Sequence, residues 1–154
     1  MNAFKRTLLG AAVAAALAVP AAHAQVSDNV IKIGVLTDMS SLYTDLAGAG
    51  SVVAARMAVE DSGIEKRGYK VEFVSADHQN KPDVGSAIAR QWYDTDKVDV
   101  IVDVPNSGVA LAVNQITKEK GKVFLASGPA SSDLTGKVLI SPALARLRYS
   151  SVSA

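Results

Sequence analysis

Residues Val98–Ser127 read VDVIVDVPNSGVALAVNQITKEKGKVFLAS, and this stretch decides the fold. It opens on a short run rich in valine and isoleucine, the mark of a strand covered on both faces. Pro105, Asn106, Ser107 and Gly108 then break the run. Apolar residues return at helical spacing from about Val109 to Lys120, and Gly121 supplies the stop. A second β-rich segment, KVFLAS, follows directly. A strand, a crossover helix and another strand imply parallel pairing, because a crossover is what returns the chain to the same end of a sheet.

The same alternation extends toward the N-terminus. VIKIGVLT, ending at Thr37, reads as a first strand, and a polar loop leads to a helix predicted from about Ala49 to Asp61, closed by Gly63. YKVEFVSA reads as the next strand, with Tyr69, Val71 and Phe73 on one face by strict alternation. Pro82 suits the first turn of a helix running to about Tyr93. The order β-α-β-α-β-α-β predicts an α/β fold with a doubly wound parallel sheet.

The first 24 residues are a different kind of segment. Lys5 and Arg6 precede the uncharged run TLLGAAVAAALAV, and the small residues of Ala22–Ala24 suit a cleavage site. This is the pattern of a secretory signal peptide, too short in its apolar part for the roughly twenty residues a membrane span needs. Export after cleavage near Ala24 is the expectation. Without Lys5 and Arg6, 14 basic residues face 15 acidic ones, which leaves no basic face for nucleic acid. The remaining 130 residues suffice for one domain, and the chain has no cysteine for disulfides, thiol catalysis or metal ligation.

The strand ends carry the candidate reactive side chains. Ser107 as a nucleophile would need a base, and His78 is the one histidine beyond the leader. The PNSG loop lacks the G-x-S-x-G elbow of a serine hydrolase, so a Ser107–His78 hydrolase stands only as the alternative, with His78 read as a solvated loop residue. Asp77 beside His78 makes two metal donors, short of a site, and reads as a solvated pair. Asp94, Asp96 and Asp99 read as loop formers at a helix-to-strand turn. Two glycine-rich stretches fail as phosphate cradles. Ten residues separate Thr37 from Gly48, where a dinucleotide fingerprint must follow its strand at once, and seven separate Gly128 from Gly136, where a P-loop has four. No cofactor is implied.

What remains is position. In open α/β sheets ligands bind beyond the carboxyl ends of the strands, where the strand order reverses. DMSSLYTD, DHQNKPD, VPNSG and SGPASSDL all fall at that edge, and the last two offer serine hydroxyls and backbone N–H groups suited to a carboxylate. Ser107 has two readings here, as the cap of its own helix or as part of a ligand seat.

From Val30 to Lys137 the sequence resembles the periplasmic substrate-binding proteins of branched-chain amino-acid-type ABC transporters, which have the type I binding-protein fold. The likeness lies in IKIGVLTDMSS, GAGSVVAARMAVED, GYKVEFVSADHQNKPDVGSAIARQ and the stretch from Val98 to Lys137, in that order. The resemblance implies two α/β lobes closing on a small ligand, an amino acid or related carboxylate, and a membrane permease as partner. It implies a periplasmic binding component rather than an enzyme. On it, Ser107 supplies the serine after the third strand, the backbone of Gly128 and Ala130 with the Ser131 hydroxyl supplies the segment after the fourth, and Tyr43 lines the pocket.

Such proteins are more than twice this length. The expected organisation is therefore a signal peptide over 1–24, an incomplete ligand-binding lobe over 25–137 and a divergent, out-of-frame or disordered tail over 138–154. The tail, VLISPALARLRYSSVSA, begins with the composition of a short strand at Val138–Ile140 and then keeps no regular period. On this reading the chain is a truncated copy with weak or no binding, or a nonfunctional remnant. One jaw in place of two would reduce a micromolar ligand, at about −8 kcal/mol, toward the millimolar mark at about −4 kcal/mol.

Overall fold

A computed structural model describes residues 29–136; the expected leader and the stretch 138–154 lie outside the described residues. The chain runs β1 (Val30–Thr37), α1 (Gly48–Ser62), β2 (Lys70–Asp77), α2 (Pro82–Asp94), β3 (Val100–Asp103), α3 (Ser107–Glu119) and β4 (Val123–Ala126). Short 3-10 turns at Glu65–Arg67 and Ser132–Leu134 complete it. Helix boundaries follow the expected signals closely. Gly63 takes the left-handed conformation, φ 62°, that ends α1, and Pro82 opens α2, where a missing N–H costs nothing.

All strand pairs are parallel and the order across the sheet is β2-β1-β3-β4. The chain steps from β1 out to β2, then crosses back over β1 to β3 and β4. The reversal therefore falls between β1 and β3, and their loops leave the sheet in diverging directions.

Strand parity assigns the helices to faces. Gly34, paired with Ile101 and so on the same face, approaches Trp92 of α2 so closely that an added Cβ would stand 2.5 Å from the indole ring. Phe73 pairs with Ile33 and so lies on the opposite face, where Arg56 of α1 covers its ring at 4.8 Å. The core lies between the sheet and α2 with α3. Leu36, Ile101 and Phe124 meet Ala89, Trp92, Val109, Val113 and Ile116 there. Tyr93 ties the layer together, its hydroxyl bonded to Thr117 Oγ1 at 3.0 Å and to the Val123 carbonyl at 3.1 Å. Burial pushes this phenol up to about 12.

The α1 face is covered less fully than the expectation of a doubly buried β3 requires. Ile101 and Asp103 are buried but Val100 and Val102 are half-buried, and in β4 Leu125 is 47% exposed. The physical reason is placement: α1 packs on β1 and β2, on the side of the sheet away from β4.

Gly85 is the contact point of α2 with α3. An added Cβ would meet Val109 Cγ1 at 2.5 Å. Gly85→Ala gains up to about 1 kcal/mol of helix propensity. Overpacking a filled interface costs about 1–3 kcal/mol, so the urea midpoint should fall. A raised midpoint would show that the two helices separate freely.

Candidate functional site

Each strand delivers polar residues to the carboxyl edge. Thr37 and Asp38 follow from β1, Asp77 and His78 from β2, Asp103 from β3 and Ser127 from β4. The loop after β1 is held by two of these carboxylates. Asp38 accepts hydrogen bonds from the N–H groups of Ser41 and Tyr43, both at 2.9 Å, and from Ser41 Oγ at 2.7 Å. Asp77 accepts from Met39 N at 3.0 Å, Gln79 N at 2.7 Å and Ser40 Oγ at 2.5 Å. Burial pushes the Asp38 carboxyl up, but the donors from Tyr43, Ser41 and Ser40 outweigh it and hold the group below its ordinary value. At Asp77 burial is likewise outweighed, by Ser40 first and then by Met39 and Gln79. Tyr43 is thus positioned through its backbone, at the rim of the edge and half-buried.

The two readings of Ser107 separate in the structure. Asn106 is the cap of α3: its backbone is extended and its Oδ1 accepts from Val109 N at 2.9 Å. Ser107 is the first helical residue, and its Oγ reaches across to accept the N–H of Ala130 at 3.1 Å. The loops after β3 and β4 are therefore joined through Ser107. Gly128 permits their close approach, since a Cβ there would stand 3.3 Å from Pro105 Cα. Ser131 accepts from Asp133 N at 3.3 Å and opens the short turn Ser132–Leu134. In both serines the oxygen is an acceptor within the protein, which leaves each O–H proton available as a donor.

His78 corrects an expectation. It is not a solvated loop residue but is fully buried. It continues the alternation of Val74 and Ala76 one step past the strand and lies beneath Gly85 of α2, 3.6 Å from where that residue's Cβ would be. Its Nδ1 accepts the N–H of Asn80 at 3.0 Å. Ser107 Oγ is engaged with Ala130, and no hydrogen bond among the described residues joins the serine to the histidine. The base and nucleophile of the hydrolase alternative are not brought together. Nor is Asp77 a solvated partner of His78, since it organises the Ser40 loop. Among the described residues no three His, Cys, Asp or Glu side chains gather as a metal site.

Two features of the edge escaped sequence reasoning. Asp103 and Val104 have φ of 80° and 60°, a left-handed turn carried by non-glycine residues. Asp103 is buried and accepts from Ser127 Oγ at 2.5 Å, which clasps the exits of β3 and β4. Asn106 Nδ2 donates to Asn80 Oδ1 at 2.5 Å, clasping the exits of β2 and β3. An asparagine in each of two polar loops was the only sign of the second clasp, and it carries no pairing information by itself.

Residues 30–153 match the family model described as periplasmic binding protein. No curated protein matches the chain. Among solved structures it is similar to a periplasmic binding protein from Burkholderia mallei, with 43% identity and a TM-score of 0.67 over 71% of this chain and 29% of that one. It is also similar to a branched chain amino acid ABC transporter periplasmic ligand-binding protein from Burkholderia xenovorans LB400, with 50% identity and a TM-score of 0.64 over 67% and 28%. A solute binding protein of an ABC transporter from R. palustris, solved in complex with 4-hydroxybenzoate, is 29% identical with a TM-score of 0.62 over 70% and 29%. The chain spans less than a third of the length of each of these proteins.

Proposed function

We propose, from the premise that this chain belongs to the periplasmic binding protein family, that it carries one wall of a solute cleft and captures an amino acid or a related small carboxylate for an ABC importer. The observation that carries the reading is the Ser107–Ala130 hydrogen bond, which joins two serine-bearing loops beside the point where the strand order reverses. Here the O–H of Ser107 and that of Ser131 point neutral donors at an anion without placing a charge in the site. Gly128 and Ala130 supply backbone, and Tyr43 the side wall. The 50% identical relative is named for branched-chain amino acids, and the 29% identical one holds 4-hydroxybenzoate; both fit a carboxylate seat. The protein acts after export, with residues 1–24 as its leader, 25–137 as the lobe and a permease as partner. It binds and releases without a chemical step.

A single wall supplies about half the binding energy of a closed cleft, so the expected dissociation constant for residues 25–137 by themselves is about millimolar. Titrating isotope-labelled protein with leucine, isoleucine and 4-hydroxybenzoate should shift the amide signals of Ser107, Gly128 and Ser131 in a saturable way. Silence across the panel, in folded protein, would overturn capture by this chain and leave a remnant that holds no solute.

A further inference from the structure

His78 is buried, on a strand end, and used by nothing in the ligand seat directly. Its hydrogen bonds lead there nonetheless. Nδ1 accepts the N–H of Asn80 at 3.0 Å, and the Asn80 carbonyl oxygen Oδ1 accepts Nδ2 of Asn106 at 2.5 Å. Asn106 in turn accepts Val109 N at 2.9 Å and so fixes the first turn of α3. From that turn Ser107 reaches Ala130 at 3.1 Å. We propose that His78 is a positioning residue for the ligand seat: its unprotonated Nδ1 holds Asn80, Asn80 holds Asn106, and Asn106 holds the turn that presents Ser107.

Two facts make the histidine more than a filler. Gln79 and Asn80 have φ of 52° and 58°, so the turn that aims Asn80 is left-handed at two successive non-glycine residues and needs an external hold. The acceptor role also depends on protonation. Nδ1 can accept only while it keeps its lone pair, which assigns the single ring proton to Nε2, a buried atom with no hydrogen-bond partner among the described residues. A proton on Nδ1 would turn the acceptor into a donor facing the Asn80 N–H, and the chain would break at its first link.

The groups that face the ring define the pH response. Asp38 comes from the end of β1, Asp77 from the same strand and Asp103 from β3, while α2 lies over the histidine at Gly85, which carries no charge. Burial lowers the pKa of His78 below its ordinary 6.5, and the three carboxylates only partly restore it. A native pKa below the unfolded one means that the histidine's contribution is complete above pH 6.5 and is lost as the pH falls from there through the native value.

The test compares the chain with His78→Asn and His78→Leu, reading hydrogen-exchange protection of the Asn80 and Ala130 amides at about pH 7.5 and about pH 5. Asparagine carries its amide oxygen on Cγ, as histidine carries Nδ1, so it can accept from Asn80 without titrating. Wild type should lose protection at both amides by about ten-fold or more on acidification. His78→Asn should keep it at both pH values, and His78→Leu should lack it at both. Equal protection of Ala130 in wild type and His78→Leu, a persisting acid step in His78→Asn, or loss of protection in that variant at neutral pH would each overturn the proposal. If His78→Leu does not fold, the wild-type step and its absence in His78→Asn still decide. The inference rests on Ser107 as the ligand seat, but the exchange readout uses no ligand. A failed solute titration and a failed hydrogen-bond linkage are therefore separate results.

Discussion

Replacing Trp92 with alanine is expected to lower stability by about 3–5 kcal/mol, the usual range for removing a buried large aromatic side chain. The indole is 5% exposed and lies against the backbone of β1 at Gly34, in the layer that also holds Leu36, Ile101 and Phe124. Nothing adjacent can move in to fill the space, because the facing surface is strand backbone already committed to pairing on both sides. Since a small domain has about 5–15 kcal/mol in total, the variant should unfold at much lower urea, or fail to fold. Gly34→Ala presses on the same contact from the other side, and removing Trp92 would relieve the 2.5 Å clash of its added methyl, leaving only the tighter-than-usual 3.3 Å approach to Val98 Cγ1. The two changes should therefore combine to less than their sum. Strict additivity in urea unfolding would contradict the contact, and a loss below about 1 kcal/mol for Trp92→Ala would contradict its place in the core.

Ser107→Ala should act on binding rather than on folding. The hydroxyl is half-buried, and its partner, the Ala130 N–H, belongs to an exposed residue that water can serve once the oxygen is gone. Stability should change by no more than about 0.5–1 kcal/mol. Affinity for 4-hydroxybenzoate or leucine, whichever shifts the amides of the wild-type protein, should fall about 10- to 100-fold. That is the measure of a hydrogen bond to a charged group at about 1.5–3 kcal/mol. Unchanged affinity in the alanine variant would remove Ser107 from the seat. The parallel change Ser131→Ala tests the second loop, and a loss there with none at Ser107 would move the seat along the sheet edge.

Much of this architecture was legible along the chain. The four strands and three helices follow from β-branched runs, helical spacing, Pro82 and the stop glycines, because those signals act within a few residues of where they stand. The edge at which the polar loops gather was also legible, since strand direction in a parallel sheet sends every strand–helix loop to one end. His78 was misread for an equally physical reason. In sequence it stands in a polar loop between Asp77 and Gln79, but the strand's alternation persists one residue beyond its last pair and carries the ring beneath α2. Ser107 was left with two roles because the distinction lies in one residue of helix register. Asn106 takes the cap and frees the serine to reach another loop.

By itself, then, the sequence determined the element order, the parallel sheet, the likeness to its family and the loops that could meet a solute, all of which rest on local pattern and chain direction. Only the tertiary structure decided the strand order β2-β1-β3-β4, the burial of His78, the left-handed turn at Asp103 and Val104, and the clasps Asn80–Asn106, Asp103–Ser127 and Ser107–Ala130. Each of these depends on groups 23 or more residues apart, or on a backbone conformation that the residue type does not favour. Such features have no local signature, since it is packing of the whole sheet against α2 and α3 that makes them the lowest in free energy.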